Sequence, residues 1–224
     1  AIAMLDKLKR ISGVKRPTLS AVFPIFGRPV FFTDIGANAD SKADWMVQYA
    51  HMGAIYAQYA LGITNPRVGL LSNGEEEGKG NDLIRETTEL LAKSTLNFIG
   101  NVEPKEIFSK ATANTKADVI VSDGFTGNIM VKTYEAGIRY MSDNMRDVLK
   151  TKPHWMFAGA IMKSALKVIR KRLDTSEVGG APLLGVNGVV IIGHGSSDGR
   201  AVRNAVHQAT LAVKGDIVNL IREK

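Results

Sequence analysis

Four glycine-rich stretches carry the residues of this chain best suited to chemistry: Asp34-Ile-Gly-Ala-Asn38, Asn73-Gly-Glu-Glu-Glu-Gly-Lys-Gly-Asn81, Asp123-Gly-Phe-Thr-Gly-Asn128 and Gly193-His-Gly-Ser-Ser197. Each follows a short apolar run and precedes a helical pattern, so each reads as a strand-to-helix turn. The first N–H groups of a helix lack intrahelical partners, and such turns suit phosphate or another oxyanion. On that reading Asp34, Gly36, Asn38, Asn81, Asp123, Gly124, Gly127, Gly195, Ser196 and Ser197 line an anion site. Lys79 precedes an N-cap at Asn81, so its charge and the helix start act on the anion together. A plainer reading stands beside this one. The glycines then supply only turn geometry, Asp34 and Asp123 form Asx turns, Lys79 is solvated, and His194 is a structural turn histidine. Glu75, Glu76 and Glu77 lack a histidine partner and read as a solvated face, so no metal site is expected.

Absent motifs narrow the chemistry. No G-x-G-x-x-G occurs, since Gly195 is followed by Gly199, one residue too late, and there is no G-x-x-x-x-G-K-[ST], H-E-x-x-H or G-x-S-x-G. Dinucleotide redox chemistry and nucleotide hydrolysis thus lack their usual marks. With no cysteine, thiolate metal sites and cysteine acyl-enzymes are excluded. No apolar run is long enough to span a bilayer, and residues 1–10 lack the order of a signal peptide.

The elements that must position these residues alternate. Strands are expected at Pro29–Asp34, Val68–Ser72, Asn97–Gly100, Asp118–Ser122 and Gly188–Ile192. Helices are expected from Ser41 to Leu61 with a Ser41/Asp44 capping box, from Asn81 past Leu91, over Glu103–Lys110, from Ile129 to Leu149, over Trp155–Leu173, and from the last loop to Arg222. Residues 1–24 carry Gly13, Pro17 and Pro24 and read as irregular after a basic amphipathic turn. This alternation implies an open, mostly parallel sheet with helices on both faces, and all four loops on its carboxyl edge.

The formal net charge of +7 is local. Residues 150–172 hold Lys150, Lys152, Lys163, Lys167, Arg170, Lys171 and Arg172 and no acidic residue; without these seven, basic and acidic residues balance at 22 each. A nucleic-acid binder more often spreads basic residues over a whole face, so no nucleic-acid partner is expected. Within 155–173, Ala158, Met162, Ala165 and Ile169 share a helical face with Trp155 and Ile161 alongside, while Lys163, Lys167 and Arg170 share another. That pattern fits a helix packed on a core, and equally one lying in a membrane interface.

At these loops the chain resembles the phosphate acyltransferase family of bacterial phospholipid synthesis. The matching stretches are Asp34–Asn38, Glu76-Glu-Gly-Lys-Gly-Asn81, Phe98-Ile-Gly-Asn-Val-Glu103, Asp123–Asn128, and Gly179-Gly-Ala-Pro-Leu-Leu-Gly-Val-Asn-Gly188 with His194-Gly-Ser-Ser197. The resemblance implies transfer of an acyl group from acyl carrier protein to inorganic phosphate, giving acyl phosphate. It also implies a three-layer α/β/α Rossmann-like fold, a homodimer, a cytoplasmic protein peripherally associated with the membrane, and no metal or organic cofactor. Residues 1–224 would form one α/β domain, the C-terminal portion of the family's fold, with a protruding basic amphipathic helical hairpin that includes the basic helical segment 150–173. Catalytic roles fall to Lys79, Asn128 and His194, and membrane contact to Trp155, Phe157, Lys163 and Lys167. Ser72 stands where the family usually carries Asn. Two other readings stay open: a phosphotransacylase using acyl-CoA, and a non-catalytic module that binds anions or nucleic acid.

Overall fold

A computed structural model describes residues 7–76, 78–110, 117–173, 179–193, 195 and 197–224, the side chains of 170–173 excepted. Among the described residues seven strands form one sheet: β1 (Thr18–Ile25), β2 (Arg28–Thr33), β3 (Arg67–Leu71), β4 (Asn97–Val102), β5 (Val119–Val121), β6 (Ala181–Leu184) and β7 (Ile191–Ile192), in spatial order β4-β3-β5-β2-β1-β6-β7. The helices are α1 (Ala43–Tyr59), α2 (Asp82–Ala92), α3 (Pro104–Ile107), α4 (Gly124–Lys150), α5 (Pro153–Leu173), α6 (Gly199–Lys214) and α7 (Ile217–Glu223).

Strands β4, β3, β5 and β2 are parallel, whereas β1, β6 and β7 each pair antiparallel with their neighbours. Strand β1 is a correction to the sequence reading, which left residues up to 24 irregular. It pairs with β2 through a two-residue turn in which Phe26 and Gly27 both have positive φ (49° and 81°), the geometry that matches strand twist in a tight hairpin. Pro24 faces Pro29 in that pair, and the two prolines masked the alternation. Strand β6 was also missed, and β7 is shorter than the expected Gly188–Ile192 run.

Period-two alternation divides the core between the two faces of the sheet. Phe31, Val119 and Val121 face a cluster with Met46, Tyr56 and Ala57 of α1, Ile84 and Leu91 of α2, and Ile217 and Ile221 of α7. Phe32 and Ile120 face the opposite cluster, with Ile107 of α3 and Met130, Val131 and Tyr134 of α4. The result is the expected three-layer α/β/α arrangement. Helix α1 starts later than expected: its N-cap is Lys42, without a side-chain cap, and the Ser41 hydroxyl donates instead to the Asn38 carbonyl, so the Ser41/Asp44 capping box does not form.

At 1.5 Å per residue the 27 residues of α4 span about 40 Å. Its first half packs on the sheet; its second half runs out beside α5, where Gly159 lets the helices approach at Leu149. On this hairpin Tyr140, Met141, Phe157 and Ile161 are 72%, 71%, 71% and 66% exposed. The half-buried face of α5 is formed by Trp155, Ala158, Gly159 and Leu166, and Met162, Ala165 and Ile169 are exposed.

Candidate active site

Asp34 follows the central strand β2 and is fully buried. Its Oδ1 accepts from the N–H groups of Gly36 and Ala37, both at 2.9 Å, and its Oδ2 from the Asn38 N–H at 2.9 Å and Asn38 Nδ2 at 2.8 Å. The anion held by this turn is therefore the chain's own carboxylate. Burial pushes the Asp34 carboxyl above the ordinary aspartate value, against hydrogen bonds from Ala37, Asn38 and Gly36 that pull it down. Asn38 Nδ2 also donates to the Pro17 carbonyl at 2.8 Å, and the Ile35 N–H donates to the Leu19 carbonyl at 2.9 Å. The unexpected strand β1 and the residue before it thus anchor the loop.

The second loop presses against the first. Asp123 caps α4 by accepting the Thr126 N–H at 2.8 Å, and the Gly124 N–H donates to the Asn38 carbonyl at 2.8 Å. The Ser122 hydroxyl donates to the Asp34 carbonyl at 2.9 Å. A Cβ on Gly124 would lie 2.6 Å from the Asn38 oxygen, and one on Gly127 would overlap the Asp34 carbonyl oxygen outright. These glycines permit backbone contact between helix and loop. The N–H groups of Gly124, Thr126 and Gly127 all have protein acceptors, whereas that of Phe125 has none among the described residues. Asn128, exposed on the next turn, donates Nδ2 to the Ile35 carbonyl at 3.1 Å and lies against Gly36, whose φ of 139° and missing Cβ (2.6 Å from Nδ2 if present) both require glycine.

The third loop follows β3, the neighbour of β5. Asn81 caps α2 by accepting the Ile84 N–H at 3.0 Å, as its sequence position suggested. Lys79 is exposed, its stem folded over Gly74, and among the described residues its ammonium makes no ion pair. Lys105 reaches Glu103 at 2.9 Å and Glu75 at 3.7 Å, which ties this loop to the start of α3. Ser72, just past the end of β3, is buried, and its hydroxyl has no partner among the described residues. Helix α2 covers one face of the sheet and α4 the other. Neighbouring parallel strands whose following helices lie on opposite faces mark the switch point at which ligands settle in open α/β sheets, and β3 and β5 are such a pair.

The fourth loop departs from expectation. Strand β7 runs against the four parallel strands, and Ile192 lies opposite Ala181, the first residue of β6. Gly193, Gly195 and Ser197 therefore leave the sheet in the opposite direction from the other three loops, because three successive antiparallel pairings, β2–β1, β1–β6 and β6–β7, reverse β7. His194 and Ser196 lie outside the described residues. The expectation that all four loops share the carboxyl edge of a mostly parallel sheet thus fails for the last loop, and the supporting groups of Pro17, Leu19 and Ser122 carried no signal in the sequence. The Phe-Gly turn at 26–27 was the available signal for the hairpin.

Residues 1–220 match the family model described as "Fatty acid synthesis protein". The chain belongs to that family. Relatives include the phosphate acyltransferase of Halothermothrix orenii, 43% identical over 219 residues (97% of this chain, 64% of the relative). That of Endomicrobium trichonymphae is 44% identical over 221 residues (99% and 64%). The chain thus spans just under two thirds of the length of the curated relatives it matches. Among solved structures, the EutD phosphotransacetylase of Staphylococcus aureus matches at TM-score 0.60 and 17% identity, covering 94% of this chain and 58% of the other. A branched-chain phosphotransacylase from Enterococcus faecalis V583 matches at TM-score 0.56 and 16% identity, covering 88% and 64%. These structural neighbours share the three-layer fold described above.

Proposed function

We propose that the chain belongs to an enzyme transferring an acyl group from acyl carrier protein to inorganic phosphate, with the switch point between β3 and β5 as the phosphate site. The observation that carries this reading is that the neighbouring parallel strands β3 and β5 each lead into groups left open, in a family whose relatives are named phosphate acyltransferases. On one side stands Lys79, with no ion pair among the described residues, beside the capped start of α2. On the other stand the Phe125 N–H and Asn128. A phosphate oxygen attacks the thioester carbonyl, forming the C–O bond and a tetrahedral oxyanion; the C–S bond then breaks, and the departing thiolate takes up the proton carried in by monohydrogen phosphate. Phosphate is itself the nucleophile, so the protein has to align the reactants and stabilise the oxyanion. Asp34, Asn38, Asp123 and the glycines shape the site through their own hydrogen bonds. Presenting acyl carrier protein and acyl-CoA in parallel, with phosphate saturating, tests the donor: thiol release from the carrier protein alone supports the reading, and release from acyl-CoA alone replaces it with a phosphotransacylase.

The hairpin of α4 and α5 supports a second element of the reading, peripheral contact with an anionic membrane. Phe157 and Ile161 are exposed beside Lys163 and Lys167, and Trp155 is half-buried under Lys152, 4.5 Å from its ring. Among the described residues no helix is long and apolar enough to cross a membrane. Each basic residue near an anionic surface contributes about 1 kcal/mol, enough for weak, reversible docking. A homodimer is part of the same proposal.

A further inference from the structure

We propose that Asn128 sets the specificity of the anion site by accepting a hydrogen bond from a P–OH group, so that the site takes phosphate and rejects sulfate. The inference rests on the proposed phosphate reading of the switch point. Its basis is the fixed orientation of one amide. Asn128 Nδ2 lies 3.1 Å from the Ile35 carbonyl oxygen. Turning the amide over would set its own carbonyl oxygen against that acceptor, which is repulsive. The Ile35 carbonyl is itself held, because the Ile35 N–H is tied to Leu19 and the following three N–H groups and the Asn38 amide are tied to Asp34. The Asn128 side chain rests on Gly36, where any Cβ would collide with Nδ2. Asn128 Oδ1 therefore faces away from the loop and has no protein donor among the described residues.

A carbonyl oxygen cannot stabilise a negative oxygen, and it repels one. It can accept from an oxygen that bears a proton. Phosphate keeps at least one P–OH throughout the neutral range, whereas sulfate, of nearly the same size and shape, has none. A site that offers Lys79 and N–H donors alone would take both anions. Adding one fixed acceptor leaves sulfate with an unfavourable O···O contact where phosphate has a hydrogen bond. That is the way sites discriminate best, by leaving the wrong ligand with an unsatisfied polar contact. Arsenate carries the same proton and serves as a size control.

The test is calorimetric titration of the chain with inorganic phosphate, arsenate and sulfate at pH 7, repeated on Asn128→Ala. The unsubstituted chain is expected to bind phosphate and arsenate alike, and sulfate about tenfold more weakly or worse, as one hydrogen bond to a charged ligand allows. In Asn128→Ala, with an unchanged circular dichroism spectrum, the ratio of the sulfate to the phosphate dissociation constant is expected to fall toward one. Equal binding of phosphate and sulfate by the unsubstituted chain would overturn the inference alone, and so would discrimination that survives in Asn128→Ala. Failure of the unsubstituted chain to bind phosphate would overturn the functional reading and the inference with it.

Discussion

Gly124 and Gly127 show how much one hydrogen atom in place of a methyl group decides at this site. Their role is proximity: helix α4 meets the Asp34–Asn38 loop backbone to backbone, and the Asp34 carbonyl oxygen occupies the space a Gly127 Cβ would need. Gly127→Ala is expected to destabilise the fold by about 3 kcal/mol in urea denaturation, the upper end for overpacking. Gly137, exposed in the middle of the same helix with nothing within 4 Å of where a methyl group would stand, should respond oppositely, gaining about 0.5–1 kcal/mol as Gly137→Ala. If the two substitutions had similar effects, the close-approach explanation of the Asp123–Asn128 turn would fail. The sequence reading offered turn geometry or an anion cradle for these glycines. It had no means of seeing contact with a loop some 90 positions earlier, because sequence reports local conformation and not which backbone lies across from it.

Elements are held in register at the other edge of the sheet by Asp118. Its carboxylate takes Arg28 at 2.6 Å and Arg67 at 3.0 Å, linking the starts of β2, β3 and β5 beside a cavity of about 470 Å³. Burial pushes the Asp118 carboxyl up, but hydrogen bonds from Arg67 and the charges of Arg67 and Arg28 outweigh it and leave the group below the ordinary aspartate value. A depressed value in the folded state means stability that is present above the unfolded value near ~3.9 and lost as pH falls through the folded one. Asp118→Asn is therefore expected to cost about 1–3 kcal/mol at pH 7, part-exposed arginines tempering the effect, and much less at pH 2.5 in urea titrations at both pH values. An equal loss at both would remove the ion-pair explanation. Strands β2 to β5 were legible because each is a short β-branched or aromatic run between turn residues. The hairpin α4–α5 was legible from its period and charge, but which face it leaves open was not, since amphipathicity looks the same against a core or a membrane. Phe157→Glu should weaken sedimentation with anionic vesicles at low salt by several-fold and leave thermal stability unchanged, given its 71% exposure. Unaltered vesicle binding would leave the hairpin as a protein-docking element.

Across the whole molecule, the order of the strands decides which loops can act together. Three loops share one edge because β2, β3 and β5 are parallel neighbours, and the loop after β7 leaves the other edge because three successive antiparallel pairings reverse its strand. Alternating strand and helix patterns gave the three layers correctly, since apolar periodicity follows from the layers themselves. Strand direction at the β1–β6–β7 side was not legible, because it is set by a hairpin and by pairing between distant segments. If the switch point between β3 and β5 joins phosphate to an acyl thioester, the product itself can be trapped. With acyl carrier protein charged with a fatty acyl group, acyl phosphate captured as hydroxamate should form only when inorganic phosphate is present, rise to saturation with it, and fall by a factor on the order of 10²–10³ in Lys79→Ala. Thioester consumption at the same rate without phosphate, or a Lys79→Ala variant that makes acyl phosphate as fast as the unsubstituted protein, would contradict that chemistry.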